Sequence, residues 1–240
     1  MTLGMFDDSV GSFRLPHAPL SLRSHMVVEA AICAAWRLML TRARGTFDLQ
    51  MADEDSITHE LYERLYDEVF DKGVVDGFDR EIFTSVHREP KIRNFNGMHP
   101  DKMPDLFVDF VDRPTGVMNS QHGIFIECKP VDAKHTVGAH YCDKGIIRFV
   151  QGDYAWTMQS AMMVAYARAG YAISPKLLDA LEARSKSLLT LAGSSFCSQS
   201  REDAMSEAVY ITKHTRAFRY ADSGAEAPAV VIRHLWLKRP

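Results

Sequence analysis

The sequence predicts an α/β fold, in which helices pack on a central β-sheet, with an N-terminal helical extension and a C-terminal β-hairpin. Three observations predict it. Apolar residues recur at helical spacing over about residues 25–44 and 54–72. Two short β-branched and aromatic runs, 106–111 and 124–126, flank a turn-rich segment carrying Pro114, Gly116, Asn119 and Gly123. After these strands a helical period returns, followed by two further β-rich runs.

Each element has a local reason. Residues 1–22 contain Gly, Pro and Ser without a sustained period and read as an irregular arm. The segment 25–44 is rich in helix formers and apolar almost all round, as a well-buried helix is, with Glu29 and Arg37 as polar exceptions and Gly45 as its stop. In 54–72 the stripe Ile57, Leu61, Leu65 and Val69 defines a second helix, N-capped by Asp53 and ended by Gly73. A short strand is expected near 82–86, then a basic stretch with Arg88, Lys91 and Arg93, which reads either as a solvated loop or as a contact for a phosphate backbone.

The runs 106–111 and 124–126 form two strands of a hairpin or a neighbouring pair. Residues 130–143 read as a loop whose His135 and His140 are more in keeping with exposed histidines than with a zinc site, their spacing lacking a further partner. Gly152 divides a short helical piece from a longer helix, about 153–169, with the stripe Tyr154, Met158, Ala161, Met162 and Ala165. That helix supplies the crossover of an α/β core. A further helix is expected over 175–192, then a Ser-rich loop. The runs 208–220 and 228–239 read as the C-terminal hairpin, whose His214, Arg216 and His234 either line a nucleic-acid path or form surface cross-strand pairs.

The chemistry concentrates at the ends of the two central strands. Asp105 opens the first, and Glu127 and Lys129 lie one residue apart in the second, so the pleat projects both to one face. Cys128 points the other way with Ile124 and Ile126. Two carboxylates and an ammonium beside apolar residues are costly unless they bind something, and a divalent cation suits them.

The order Pro104-Asp105, a spacer, then Glu127-Cys128-Lys129 resembles the PD-(D/E)xK nuclease superfamily, over roughly residues 54–168. The resemblance implies a restriction-endonuclease-like core, a mixed sheet flanked by helices, within a single domain over 1–240. Residues 1–50 would form the arm and helix, 54–170 the catalytic core, and 171–240 the C-terminal helix and hairpin. It implies Mg²⁺ or Mn²⁺ held by Asp105 and Glu127, with the Cys128 carbonyl a further ligand, and Lys129 as the catalytic cation. Nucleases of this superfamily often carry an extra acidic residue on the preceding helix. Glu54 falls on the buried stripe at the first turn and fits that role, with Glu60 in reserve; Glu54 also fits a plain complement to the helix dipole. Arg148 and Gln159 are expected as supporting groups, and Lys213 and Arg216 join Arg88, Lys91 and Arg93 as contacts for nucleic acid.

Composition bounds the partners. Of 240 residues, 46% are hydrophobic and 25% charged, an ordinary globular balance. No apolar run is long enough for a membrane helix, and the start lacks a secretory pattern. Cys33, Cys128, Cys142 and Cys197 are widely spaced, as reduced thiols of a cytoplasmic protein are. The net charge of −3 counts against a nuclease that grips DNA unaided. The expectation is therefore a Mg-dependent deoxyribonuclease of a restriction or phage-defence system, acting as a homodimer or within a larger complex. The alternative is an inactive or partner-dependent subunit that binds nucleic acid or assembles with an ATPase or recognition protein.

Overall fold

The structure is a computed structural model and describes residues 13–42, 45–191, 195–196 and 209–240. Among the described residues seven strands follow in chain order: β1 (Phe83–Arg88), β2 (Leu106–Phe110), β3 (Gly123–Val131), β4 (Ser160–Ala167), β5 (Ser195–Phe196), β6 (Tyr210–His214) and β7 (Val230–Lys238). They form one mixed sheet in the order β1-β2-β3-β4-β7-β6-β5. β3, β4 and β7 run parallel, and the remaining pairs are antiparallel.

Four helical elements cover it. α1 spans Leu22–Thr41, with the Ser21 hydroxyl accepting the Ser24 N–H at its start. α2 begins as Glu54–Glu63 and continues through wider π-type turns, Arg64–Phe70. Its N-cap is Asp53, whose carboxylate accepts the Ser56 N–H at 2.9 Å, as the sequence predicts. α3 combines the π-helical Val137–Ile146 with Ile147–Gln151 and ends at Gly152 in the left-handed region. α4 is short, Leu178–Ala183, preceded by the turn Ile173–Leu177, so the helix expected over 175–192 gives way to turns in its second half.

The two faces of the sheet alternate in sequence. Ile124, Ile126 and Cys128 of β3 join Trp36 of α1 and Leu61 of α2 in one core. Phe125 and Val131 of the same strand face Tyr141, Ile146 and Phe149 of α3 in the other. β2 and β3 pair as an antiparallel unit with Asp109 opposite Gly123. A Cβ at Gly123 would stand 2.4 Å from the Val108 carbonyl oxygen, so glycine permits this close approach.

One expectation is overturned here. Residues 160–167 are not helical but form β4, and Gly152 to Gln159 is an irregular loop. β4 lies between two parallel neighbours with both faces covered, so its sequence is apolar without alternation, and such a run matches a buried helix equally well. The crossover between β3 and β4 is instead α3, part of which was expected as loop.

The C-terminal pair is antiparallel as predicted, with Tyr210 opposite His234, but β7 is an interior strand bonded to β4 on its other side. His214 and His234 consequently do not line a surface path. His214 Nδ1 donates to the Leu188 carbonyl at 2.9 Å, so its Nε2 accepts from the Thr212 hydroxyl at 2.8 Å. Thr212 Oγ1 then accepts from His234 Nε2 at 2.7 Å, leaving His234 Nδ1 to accept from Tyr141 at 3.0 Å. Both rings are fully buried and neutral, with their pKa values lowered by burial. Glu29, the polar exception in α1, is buried against Arg233 of β7, with Arg233 Nη2 3.1 Å from its carboxylate. Among the described residues no helix is long and apolar enough to cross a membrane.

Candidate functional site

Asp105 immediately precedes β2, and its Oδ2 accepts the Cys128 N–H of β3 at 2.6 Å. This bond ties the Pro-Asp turn to the middle of the Glu-x-Lys segment. Glu127 and Lys129 share a face of β3 but lie within it, because the strand continues to Val131 in its ladder with β4 rather than closing at Lys129 as the sequence predicts, and α2 brings Glu54 to the same strand. Lys129 Nζ stands 2.6 Å from Glu54 Oε1, 2.9 Å from Glu127 Oε1 and 3.6 Å from Asp105 Oδ2. The four residues singled out in the sequence thus meet around one ammonium.

The environment is largely buried and opens to solvent on the Glu54 side. The Glu127 side chain has no solvent exposure, and that of Glu54 is 31% exposed. Burial and the charge of Glu127 push the Asp105 carboxyl up to about 7. Burial likewise raises Glu127, against the pull of Lys129 and Arg148. Burial disfavours the Lys129 ammonium, but Glu127, Asp105 and Glu54 outweigh it and shift its pKa upward. Lys129 is therefore a fixed cation at neutral pH.

Further groups complete the surroundings of Glu127. Arg148 on α3 places Nη1 3.4 Å from Glu127 Oε1. Tyr154, from the loop after α3, donates its hydroxyl to Glu127 Oε2. Tyr154 was assigned by its spacing to an apolar stripe; the signal that it does more is its phenol, since a buried tyrosine hydroxyl needs a partner. Near Glu54 and Pro130 a cleft of about 470 Å³ opens, lined also by Lys134, His135 and Arg168.

The remaining predicted residues lie elsewhere. Glu60 is buried in an ion pair with Arg64 at 2.7 Å, the i,i+4 partner on its own helix, and is not part of the cluster. Gln159 donates to the His17 carbonyl at 2.8 Å. Arg216 is buried with its guanidinium on the carbonyls of Ala155, Trp156 and Met158, so it is not a surface contact. Arg88 reaches Glu89, Lys91 and Lys213 are exposed, and Arg93 lies 6.0 Å over the Trp156 ring. His135 is held by Asp132, Nδ1 to Oδ1 3.0 Å, and packs edge-on against His140 at 5.1 Å. Cys33, Cys128 and Cys142 are buried and in no disulfide among the described residues; Cys197 lies outside the described residues. Burial raises the Cys128 thiol well above its ordinary pKa, so its side chain is a core group facing Tyr166.

Among the described residues no three His, Cys, Asp or Glu side chains are arranged as a ready metal cage. The donor chemistry nevertheless suits a hard cation. Glu127 Oε1 is a fully buried carboxylate oxygen whose neighbours are the Lys129 ammonium at 2.9 Å and Arg148 Nη1 at 3.4 Å, and Asp105 is pushed toward protonation by burial and then by its carboxylate neighbour. Lys129 Nζ pairs with both carboxylates, 3.6 Å from Asp105 Oδ2 and 2.9 Å from Glu127 Oε1. In comparisons with known proteins, no protein-family model, curated protein or solved structure matches the chain.

Proposed function

We propose that the protein is a metal-dependent nuclease of the PD-(D/E)xK type, with a restriction-endonuclease-like core, hydrolysing phosphodiester bonds of DNA. The observation that carries this reading is the convergence of Asp105, Glu127, Lys129 and Glu54 on β3 beside an open cleft. Asp105 and Glu127 would hold Mg²⁺ or Mn²⁺, with the Cys128 carbonyl as a third oxygen. The ion would supply a nucleophilic water and relieve charge on the departing oxygen.

The chain's own residues account for the rest. Lys129, kept as ammonium, stabilises charge on the pentavalent phosphorus and orients the attacking water; it is not a general base. Glu54 anchors the Lys129 amine from the cleft side. The test is cleavage of supercoiled plasmid, linear duplex, single-stranded DNA and RNA with Mg²⁺ or Mn²⁺, by wild type, Lys129→Ala and Asp105→Ala. Metal-dependent cutting by wild type alone is the expected result. Full cutting by Lys129→Ala would overturn the assignment.

A partner-dependent form of the same enzyme is favoured by one observation. The net charge is −3, and Arg216, expected to face nucleic acid, is turned into the core. Grip on DNA would then come from a second copy or from a recognition or ATPase subunit, as restriction and phage-defence systems provide.

A further inference from the structure

The loop between Gly152 and β4 is buried, irregular and held from several sides. Ala155 adopts φ +52, a left-handed conformation that is uncommon for a residue with a side chain. Such strain persists where surrounding contacts over-determine it, and it clusters at functional sites. Here Arg216 supplies the contacts: Nη1 donates to the carbonyls of Ala155 at 3.2 Å and Trp156 at 2.9 Å, and Nη2 to that of Met158. Tyr220 donates to the Trp156 carbonyl at 3.1 Å, and Thr157 to the Gln121 carbonyl at 2.7 Å.

A guanidinium is a costly way to secure a loop. Arg216 is 8% exposed, its hydrogen-bond partners are neutral carbonyls, and its Nε is buried without a hydrogen bond. Burial lowers its pKa to about 10. A buried cation without a hydrogen-bonded carboxylate is destabilising relative to an apolar side chain of similar volume. What the loop presents is Tyr154, fully buried, with its hydroxyl on Glu127 Oε2.

We infer that Arg216 and Tyr154 act as one positioning unit, which occupies Glu127 Oε2, so that Oε1, beside the Lys129 ammonium at 2.9 Å and Arg148 at 3.4 Å in this structure, is the oxygen a divalent cation would take next to Asp105. The inference rests on the metal-dependent reading of the site. Tyr154 fixes the carboxylate's rotation by claiming one oxygen, and Arg216 fixes Tyr154 through the backbone. Neither residue touches the reacting atoms.

The experiment is Mn²⁺ binding by the full chain without substrate, followed by titration calorimetry and the electron paramagnetic resonance of free Mn²⁺. The proteins are wild type, Tyr154→Phe, Arg216→Met, Arg216→Lys and the Tyr154→Phe/Arg216→Met pair, with thermal unfolding of each as a control for folding. Tyr154→Phe keeps the ring against Phe149 and removes only the hydroxyl. Loss of a group that orients a metal ligand costs about 10–100-fold in affinity. Tyr154→Phe and Arg216→Met should each weaken Mn²⁺ binding by that factor, the pair should be no weaker than either alone, and Arg216→Lys should recover part of the loss. Unchanged Mn²⁺ affinity in Tyr154→Phe, or simple addition of the two effects, would overturn the unit while leaving the nuclease reading standing. If Arg216→Met does not fold, Tyr154→Phe and Arg216→Lys decide the matter alone. Absence of Mn²⁺ binding by wild type would overturn the metal reading itself, and this inference with it.

Discussion

Lys129 Nζ lies 2.6 Å from Glu54 Oε1, joining the interior of the sheet to the first turn of α2. The contact links residues far apart in sequence and closes the fourth side of the Asp105–Glu127–Lys129 cluster. Lys129→Ala removes the one cation that lies between three carboxylates. Breaking a buried pair by deleting one partner costs about 3–5 kcal/mol, and the partial exposure of Glu54 puts this case at the lower end. Urea denaturation at pH 7 should register a loss of roughly 3 kcal/mol. Mg²⁺ should recover more stability in the variant than in wild type, because it substitutes for the lost charge.

Protons and metal compete at Asp105. Its carboxyl is raised from 3.8 to about 7, so the folded protein retains a proton that the unfolded chain has released. This group's contribution to stability is full below pH 3.8 and is lost as pH rises through about 7. A metal ion requires the ionised form, so binding at pH 6 should release close to one proton. Calorimetry in two buffers of different ionisation enthalpy measures that number. No proton release at pH 6 would exclude Asp105 as a ligand.

Glu54 and Glu60 should separate cleanly. Glu60→Gln weakens a buried pair with Arg64 and should lower thermal stability while leaving metal-dependent cleavage unchanged. Glu54→Gln leaves the helix capped by Asp53 but loosens Lys129, and should cut cleavage at least tenfold, about 1.4 kcal/mol in the barrier. Equal losses of activity in the two variants would contradict the placement.

The buried histidines predict an acid limit. Folding holds His214 neutral with its pKa lowered from 6.5 to about 4 by burial, and burial also lowers that of His234, well below its ordinary value. The unfolded chain therefore binds more protons below pH 6.5, and stability falls as pH drops from there toward 4. Thr212 bridges both rings. Thr212→Val leaves the Nε2 of each ring without its partner and should cost ~1–3 kcal/mol at pH 7, measured by denaturant unfolding.

Much of the site was legible because the pleat rule acts locally. Once β2 and β3 are recognised, the placement of Glu127 and Lys129 on one face and Cys128 on the other follows from alternation alone. Glu54 was legible for a similar reason, since helical spacing puts it on the stripe that faces the sheet. Tyr154, Arg216 and β4 were not legible, because their surroundings are tertiary. The 161–167 run is apolar throughout for want of a solvent face, and a strand and a helix then share one pattern. Arg216 reads as a surface cation until the loop carbonyls it meets, some sixty residues away, are known. Glu60 was misread because its i,i+4 arginine satisfies it within the helix.

The position of β7 has a consequence for synthesis. Of the described strands it emerges last from the ribosome, yet it lies inside the sheet, between β4 and β6. Until Val230–Lys238 has emerged, β4 presents an open, wholly apolar edge, and Glu29 of α1 has no guanidinium to meet. Unpaired strand edges of this kind recruit other chains. Translation that stalls before residue 230 should therefore yield aggregating or chaperone-bound fragments, whereas a chain extended past Lys238 can pair β7 with β4 and cover that edge.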